Sequence, residues 1–415
     1  MQTSSTRSRR KLTKWEWALL VVPIIVVIAL LFGARILYAL TGTLYTKQQE
    51  IGGINFSRDS KQLVAVTATD FPGDVPFRRD QDIMNWDVTT GKLLSKAEVR
   101  GKQVVWHPAV YENGTVIAAV IGSKSPYEVR RWHPQTGMTS ISRQGSYSET
   151  LYKFKDDRSF IVIDSSTTIY DSQALTPIRT MPLGKVGSNV LISANEQVLF
   201  CERKTAKGVQ GEVWSLRTGK RLRSFMLEES EMRAISPDGR QLATVSHRKE
   251  SGLTKYNNVD VEIYDLTTGK KLKRAFHNIK SVFLRSFRFS SNGEKLLCAG
   301  PIFAPRSPQS RETKEVQQSV AQIINIKSNK ISTLNIAGHL RSCMFSPDGR
   351  LVAFSTMRTS TTSASFQIRN AENDRVLLSR DSGAQEISFR FSPDNRLVAY
   401  SSGNSIKVVD ISNLS

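Results

Sequence analysis

The chain has 415 residues, of which 39% are hydrophobic and 23% charged, so it can bury a sizeable core and disorder is not its default state. Its formal net charge of +21 is not that of an ordinary globular protein. Such an excess fits attraction to polyanions (nucleic acid, anionic lipid headgroups or cell-wall polymers), and it equally fits plain solubility.

The first element is apolar. Residues 17–34 carry no charge, and after Arg35 the apolar character continues through Leu40. A bilayer core takes about 20 apolar residues in a helix, and this run supplies them if Arg35 reaches back to the interface. Trp15, Trp17 and Tyr38 stand where aromatic belts form. The run is longer than the roughly 7–15 residues of a signal-peptide core, so it is expected to remain as an anchor over 15–40. Arg7, Arg9, Arg10, Lys11 and Lys14 precede it, against Arg35, Lys47 and Arg58 after it. The expectation is a single-pass membrane protein with a cytoplasmic tail at 1–14 and the body, 43–415, outside the cytoplasm.

Past residue 50 a pattern recurs: an aromatic or apolar residue, Ser, a tight turn and an apolar strand. It reads Phe56-Ser-Arg-Asp-Ser, Ile235-Ser-Pro-Asp-Gly, Phe289-Ser-Ser-Asn-Gly, Phe345-Ser-Pro-Asp-Gly and Phe391-Ser-Pro-Asp-Asn. Pro presets φ at the first turn position, Asp bonds its own backbone, and Gly or Asn takes the left-handed conformation. A second element reads Trp86-Asp-Val-Thr-Thr-Gly-Lys, Trp132-His-Pro-Gln-Thr-Gly, Trp214-Ser-Leu-Arg-Thr-Gly-Lys and Tyr264-Asp-Leu-Thr-Thr-Gly-Lys. First strands begin near Ile54, Val104, Leu151, Val190, Ala234, Ser286, Cys343 and Ser388. Spread over 43–415, eight repeats average about 47 residues and seven about 53, against the ~40–45 of such units. The fold class expected is all-β: a β-propeller of eight four-stranded blades, with seven as the alternative. The last repeat supplies three strands, so the segment at 43–48 is expected to pair with it and close the ring, because an open edge is costly.

These paired elements resemble the WD-repeat family and the related propeller repeats of bacterial periplasmic proteins. The likeness spans residues 43–415; Gly338-His339 is the one Gly-His pair and Trp86-Asp87 the one literal Trp-Asp. It implies a scaffold or interaction role and names no partner. Quinone-cofactor dehydrogenases also use eight-bladed propellers, but theirs carry a tryptophan at regular blade positions, and this chain has six in all, two of them in the anchor.

No catalytic constellation stands out: there is no Gly-x-Ser-x-Gly, no His-Glu-x-x-His and no phosphate-cradling glycine loop. Neither enzymatic activity nor a cofactor is expected. The duplicate Trp106-His107-Pro108 and Trp132-His133-Pro134 hints at a metal pair, but the repeat phase puts both histidines in turns. Cys201, Cys298 and Cys343 are scattered, which fits buried free thiols.

Loops carry the remaining information. Second-to-third strand connections near 70–81, 203–210, 248–258, 302–319 and 358–363 are long and share one rim. Rigid scaffolds present function on such loops. Arg203, Lys204 and Lys207, then Arg248, Lys249 and Lys255, then Arg306, Arg311 and Lys314 would form one positive arc across neighbouring blades. The partner expected there is an unidentified protein or an anionic envelope component, with no nucleic acid. The alternative is a sensor or enzyme subunit holding a small ligand in the central channel; convergent Asp, His or Arg side chains in the channel would favour it.

Overall fold

The computed structural model describes residues 41–46, 50–68, 80–100, 103–122, 127–133, 135–143, 150–163, 167–184, 190–230, 232–247, 258–280, 284–302, 318–357, 363–382 and 387–414. The basic tail and the apolar segment at 15–40 lie outside the described residues. Among the described residues, no helix is long and apolar enough to cross a membrane.

Eight four-stranded antiparallel sheets form the ring, one per repeat. The inner strands are Glu50–Phe56, Gln103–Val110, Thr150–Lys153, Val190–Ile192, Met232–Ile235, Ser286–Phe289, His339–Phe345 and Phe389–Phe391. The repeat-length argument thus gave the blade number correctly. Second strands are covered on both faces and read as near-continuous apolar runs, as in Leu351–Met357. Outer strands, such as Arg221–Leu227, are mostly exposed.

The inner turns repeat one hydrogen-bond device. Ser236 Oγ donates to Asp238 Oδ1 at 2.5 Å and accepts from the Gln241 amide at 2.8 Å. The same exchange links Ser57 to Asp59, Ser193 to Asn195, Ser290 to Asn292, Ser346 to Asp348 and Ser392 to Asp394. One residue further on, φ is positive: +72° at Gly239, where a Cβ would also crowd Val198. Elsewhere Ser60 and Asn395 accept that conformation, the cost of which is small for Asn. The outer turns use Asp87, Asp171, Asp265 and Asn370 as acceptors for the amides two or three residues on.

The aromatic at the Trp-Asp motif position leans on the preceding blade. Trp86 packs with Leu44, Ala399 and Ile406 of the last blade, Trp214 with Ile161 and Met181, and Tyr264 with Phe200 and Leu227. In blade 7 the position is Arg369, which lies 5.1 Å over Phe354, donates to Asn335 O of blade 6 at 2.9 Å, and pairs with Asp374. Eight apolar clusters result, one at each blade junction.

The ring closes as the sequence predicted. Thr43–Tyr45 is the outermost strand of the last blade, with Thr43 opposite Lys407 and Tyr45 opposite Ser405. Gly42 turns into this strand at φ +62°, its carbonyl accepts from the Val408 amide at 2.7 Å, and a Cβ there would collide with the Val408 carbonyl. Leu44 is 2% exposed and joins the junction of blades 8 and 1.

Leu44→Ala should therefore destabilise the whole ring by about 2–4 kcal/mol in urea unfolding, the range for an emptied core site. Leu222→Ala, at an outer-strand residue 57% exposed, should cost less than about 0.5 kcal/mol. Equal costs would mean that the closing strand carries no stability.

Candidate functional site

The propeller has two unlike rims. Inner and outer turns of a blade are bonded to each other: Val88 N donates to Lys61 O at 2.8 Å, Leu216 N to Gln197 O at 2.9 Å, and Leu266 N to Arg240 O at 2.8 Å. Both turn sets therefore share one rim, and the second-to-third connections share the other. Residues 69–79, 248–257, 303–317 and 358–362 of the latter lie outside the described residues, and with them Arg248, Lys249, Lys255, Arg306, Arg311 and Lys314.

Blade 4 corrects the sequence reading. Residues 203–210 are not a long loop. The strands Val198–Thr205 and Gly208–Ser215 pair without interruption, Arg203 opposite Gln210 and Thr205 opposite Gly208. Gly208 at φ +122° and the Thr205 hydroxyl, which accepts from the Lys207 amide at 3.2 Å, make a two-residue turn. Lys204 and Lys207 are exposed at this hairpin tip. Arg203 is held: its guanidinium donates to the Leu183 carbonyl of blade 3 and lies 3.5 Å from buried Glu212.

Blade 2 corrects the histidine phase. Pro108 offers no amide, so the inner strand Gln103–Val110 bulges between Trp106 and Ala109, which its edge position tolerates. His107 is thus a strand residue, and the turn comes four residues later, where Tyr111 N donates to Thr115 O and Gly114 takes φ +82°. The Asn113-Gly114 dipeptide carried that signal in the sequence. His133 is in its expected turn, with Nδ1 accepting from the amides of Gln135 and Thr136 at 3.2 Å, in place of the usual Asp. Among the described residues, no group of three or more His, Cys, Asp and Glu is placed to hold a metal.

The central channel holds side chains that sequence reasoning passed over. On the turn side, a depression of about 440 Å³ lies among the inner turns of blades 3 to 6, lined by Lys155, Asn195, Ser236, Asp238 and Asn292. Deeper, Arg288 and Arg390 occupy equivalent positions in two Phe-Arg-Phe-Ser segments, on the inner strands of blades 6 and 8. Both are exposed to solvent within the ring. Desolvation by the surrounding blades holds each guanidinium below its usual pKa, and Arg288 adds to the effect at Arg390. At the loop-side end of the blade 7 inner strand, partial burial, then Arg341 and Arg285, push His339 below its ordinary value.

No family model matches the chain, and no curated protein matches it either. Solved structures do resemble it. The C-terminal WD40 domain of Sif2 aligns over 88% of this chain and 97% of that one, with TM-score 0.59 and 13% identity. A eukaryotic initiation factor aligns over 86% and 83%, with TM-score 0.53 and 12% identity. Hydrazine synthase of Kuenenia stuttgartiensis aligns over 89% and 97%, with TM-score 0.51 and 15% identity. At these identities the likeness establishes the fold alone, a WD40-like β-propeller, and a fold does not by itself imply a function.

The three cysteines are free and buried. Burial, and then the Glu212 carboxylate, pushes Cys201 up to about 12; burial pushes Cys343 up to about 12 and raises Cys298 as well. At pH 8 the thiolate is scarce and the sulfur unreachable. A thiol-disulfide reagent should leave the native protein unlabelled over minutes and label all three thiols in denaturant. One fast-reacting native thiol would contradict this placement.

Proposed function

We propose that the protein is a membrane-anchored, non-catalytic docking platform, which offers its loop-bearing rim to a protein or an anionic component of the cell envelope. The observation that carries this reading is the direction of the closing strand. Thr43 lies opposite Lys407, near the outer turn of the last blade, and Tyr45 lies opposite Ser405, next to the Gly403-Asn404 hairpin on the loop rim. The chain therefore enters the ring on the turn rim. With 15–40 as a bilayer anchor and almost no slack after it, the turn rim faces the membrane and the loop rim faces away. A blade strand of about seven residues at ~3.3 Å separates the rims by roughly 23 Å.

The charge pattern fits this orientation. Lys204 and Lys207 are exposed at the loop-rim hairpin tip of blade 4, and Arg248 and Lys249 come directly after the second strand of blade 5 in the sequence. Lysines on a mobile stem contribute mainly long-range, salt-sensitive attraction, which suits capture of an acidic surface.

Two experiments test the proposal on full-length protein in liposomes. A fluorophore at Arg217→Cys, in the outer turn of blade 4, should be quenched by a headgroup-attached quencher more strongly than one at Lys204→Cys on the same blade; the reverse order would overturn the orientation. Replacing Lys204, Lys207, Arg248 and Lys249 by Ser should weaken binding to envelope extract and flatten its salt dependence. Unchanged affinity and slope would remove the rim from the mechanism.

A further inference from the structure

The ring treats its inner-strand arginines in two ways. Arg233, in blade 5, is buried and has a carboxylate built for it: Nε lies 2.5 Å from Glu202 Oε2 of blade 4. Arg288 makes no hydrogen bond or ion pair with any described residue, and no described carboxylate acts on it. Arg390 reaches sideways along the lumen wall. Its Nε lies 3.3 Å from Asn55 Oδ1 of blade 1, and its Nη1 is 4.0 Å from Met344 Sδ of blade 7. These contacts place Arg390, Asn55 and Met344 at one level of the channel, and repeat position places Arg288 at the same level one blade beyond Met344.

Two guanidinium groups thus share one level of a confined lumen without a counter-charge among the described residues. Confinement removes part of their hydration, and each raises the other's cost of being charged. A structural role gives no reason for that arrangement, since Leu191 and Ala234 fill the same repeat position in other blades. A bound oxyanion does give one: two guanidinium forks suit carboxylate or phosphate oxygens, while Asn55, whose Nδ2 donates to the Pro108 carbonyl at 2.7 Å, steadies Arg390 through its Oδ1. Arg285, just before the blade 6 inner strand, and Arg341, on the inner strand of blade 7, lie toward the loop-side end near His339, where an incoming anion would meet them first.

We propose that the central channel binds a small oxyanion, a phosphate or a carboxylate, between Arg288 and Arg390. This site is separate from the rim and does not depend on it.

The test is thermal unfolding and titration calorimetry of the full-length protein in detergent, with inorganic phosphate and succinate in separate arms and chloride keeping ionic strength constant. At least one of the two should raise the melting temperature saturably. Arg288→Gln breaks no hydrogen bond or ion pair with a described residue, so it should fold; it should lower affinity about tenfold or more, the usual effect of losing one charge-assisted bond. Arg390→Gln should do the same. Lys204→Gln, on the rim, should leave binding unchanged. Absence of a saturable shift with either anion would overturn the site, as would equal affinity in Arg288→Gln or equal loss in Lys204→Gln.

Discussion

A four-stranded blade cannot bury its own two faces, and an open stack of blades leaves a face and an edge bare at each end. Closure into a ring removes both liabilities at once, provided that the first and last segments are joined. Here the join is three residues long. It depends on Gly42, whose backbone takes a conformation and a closeness to Val408 that no side chain permits, and on Leu44, which fills the last of eight junctions. The wedge aromatics Trp86, Trp214 and Tyr264 hold each blade against the one before it, so strain at the join is shared around the ring.

The same join gives the disc a direction. A strand added from the C-terminal end would leave the N-terminal segment loose; a strand contributed by residues 43–45 fixes where the preceding chain departs. Because that strand runs from the turn rim toward the loop rim, the chain enters it on the turn side. Fold closure and the point of chain entry are therefore one piece of structure, on the same side as the tight turns, which cannot grow without breaking their Ser–Asp bonds.

Much of this was legible in the sequence because the turns have obligatory chemistry. Ser followed by Asp or Asn, then in most copies Gly or Asn, marks five inner turns, and Asp87 and Asp265 mark outer ones; the Ser193–Asn195 turn and Asp171 emerged only with the structure. Legibility failed where another residue took over a role. Trp106-His107-Pro108 imitated the turn motif while Asn113-Gly114 carried the turn. At 203–207, polar composition suggested a loop, but period-two pairing continues through Arg203 and Lys204 to the hairpin tip. The arc of basic residues was composed by charge alone, and composition could not reveal that Arg203 is claimed by Leu183 and Glu212.

Arg288 and Arg390 were missed for a different reason. Phe-Arg-Phe-Ser alternates correctly for a strand with one wet face, so the arginine reads as an ordinary solvated charge. Only the closed ring shows that the water it faces is a confined lumen, in which a solvated charge is partly desolvated. The lumen also connects the two rims. On the proposed orientation the turn-side mouth lies against the bilayer and the loop-side mouth faces away from it. An anion held between the two arginines would then exchange through the same rim that meets the partner, so a partner seated across that rim would trap the anion, and the anion would slow or favour seating according to the charge it leaves at the mouth.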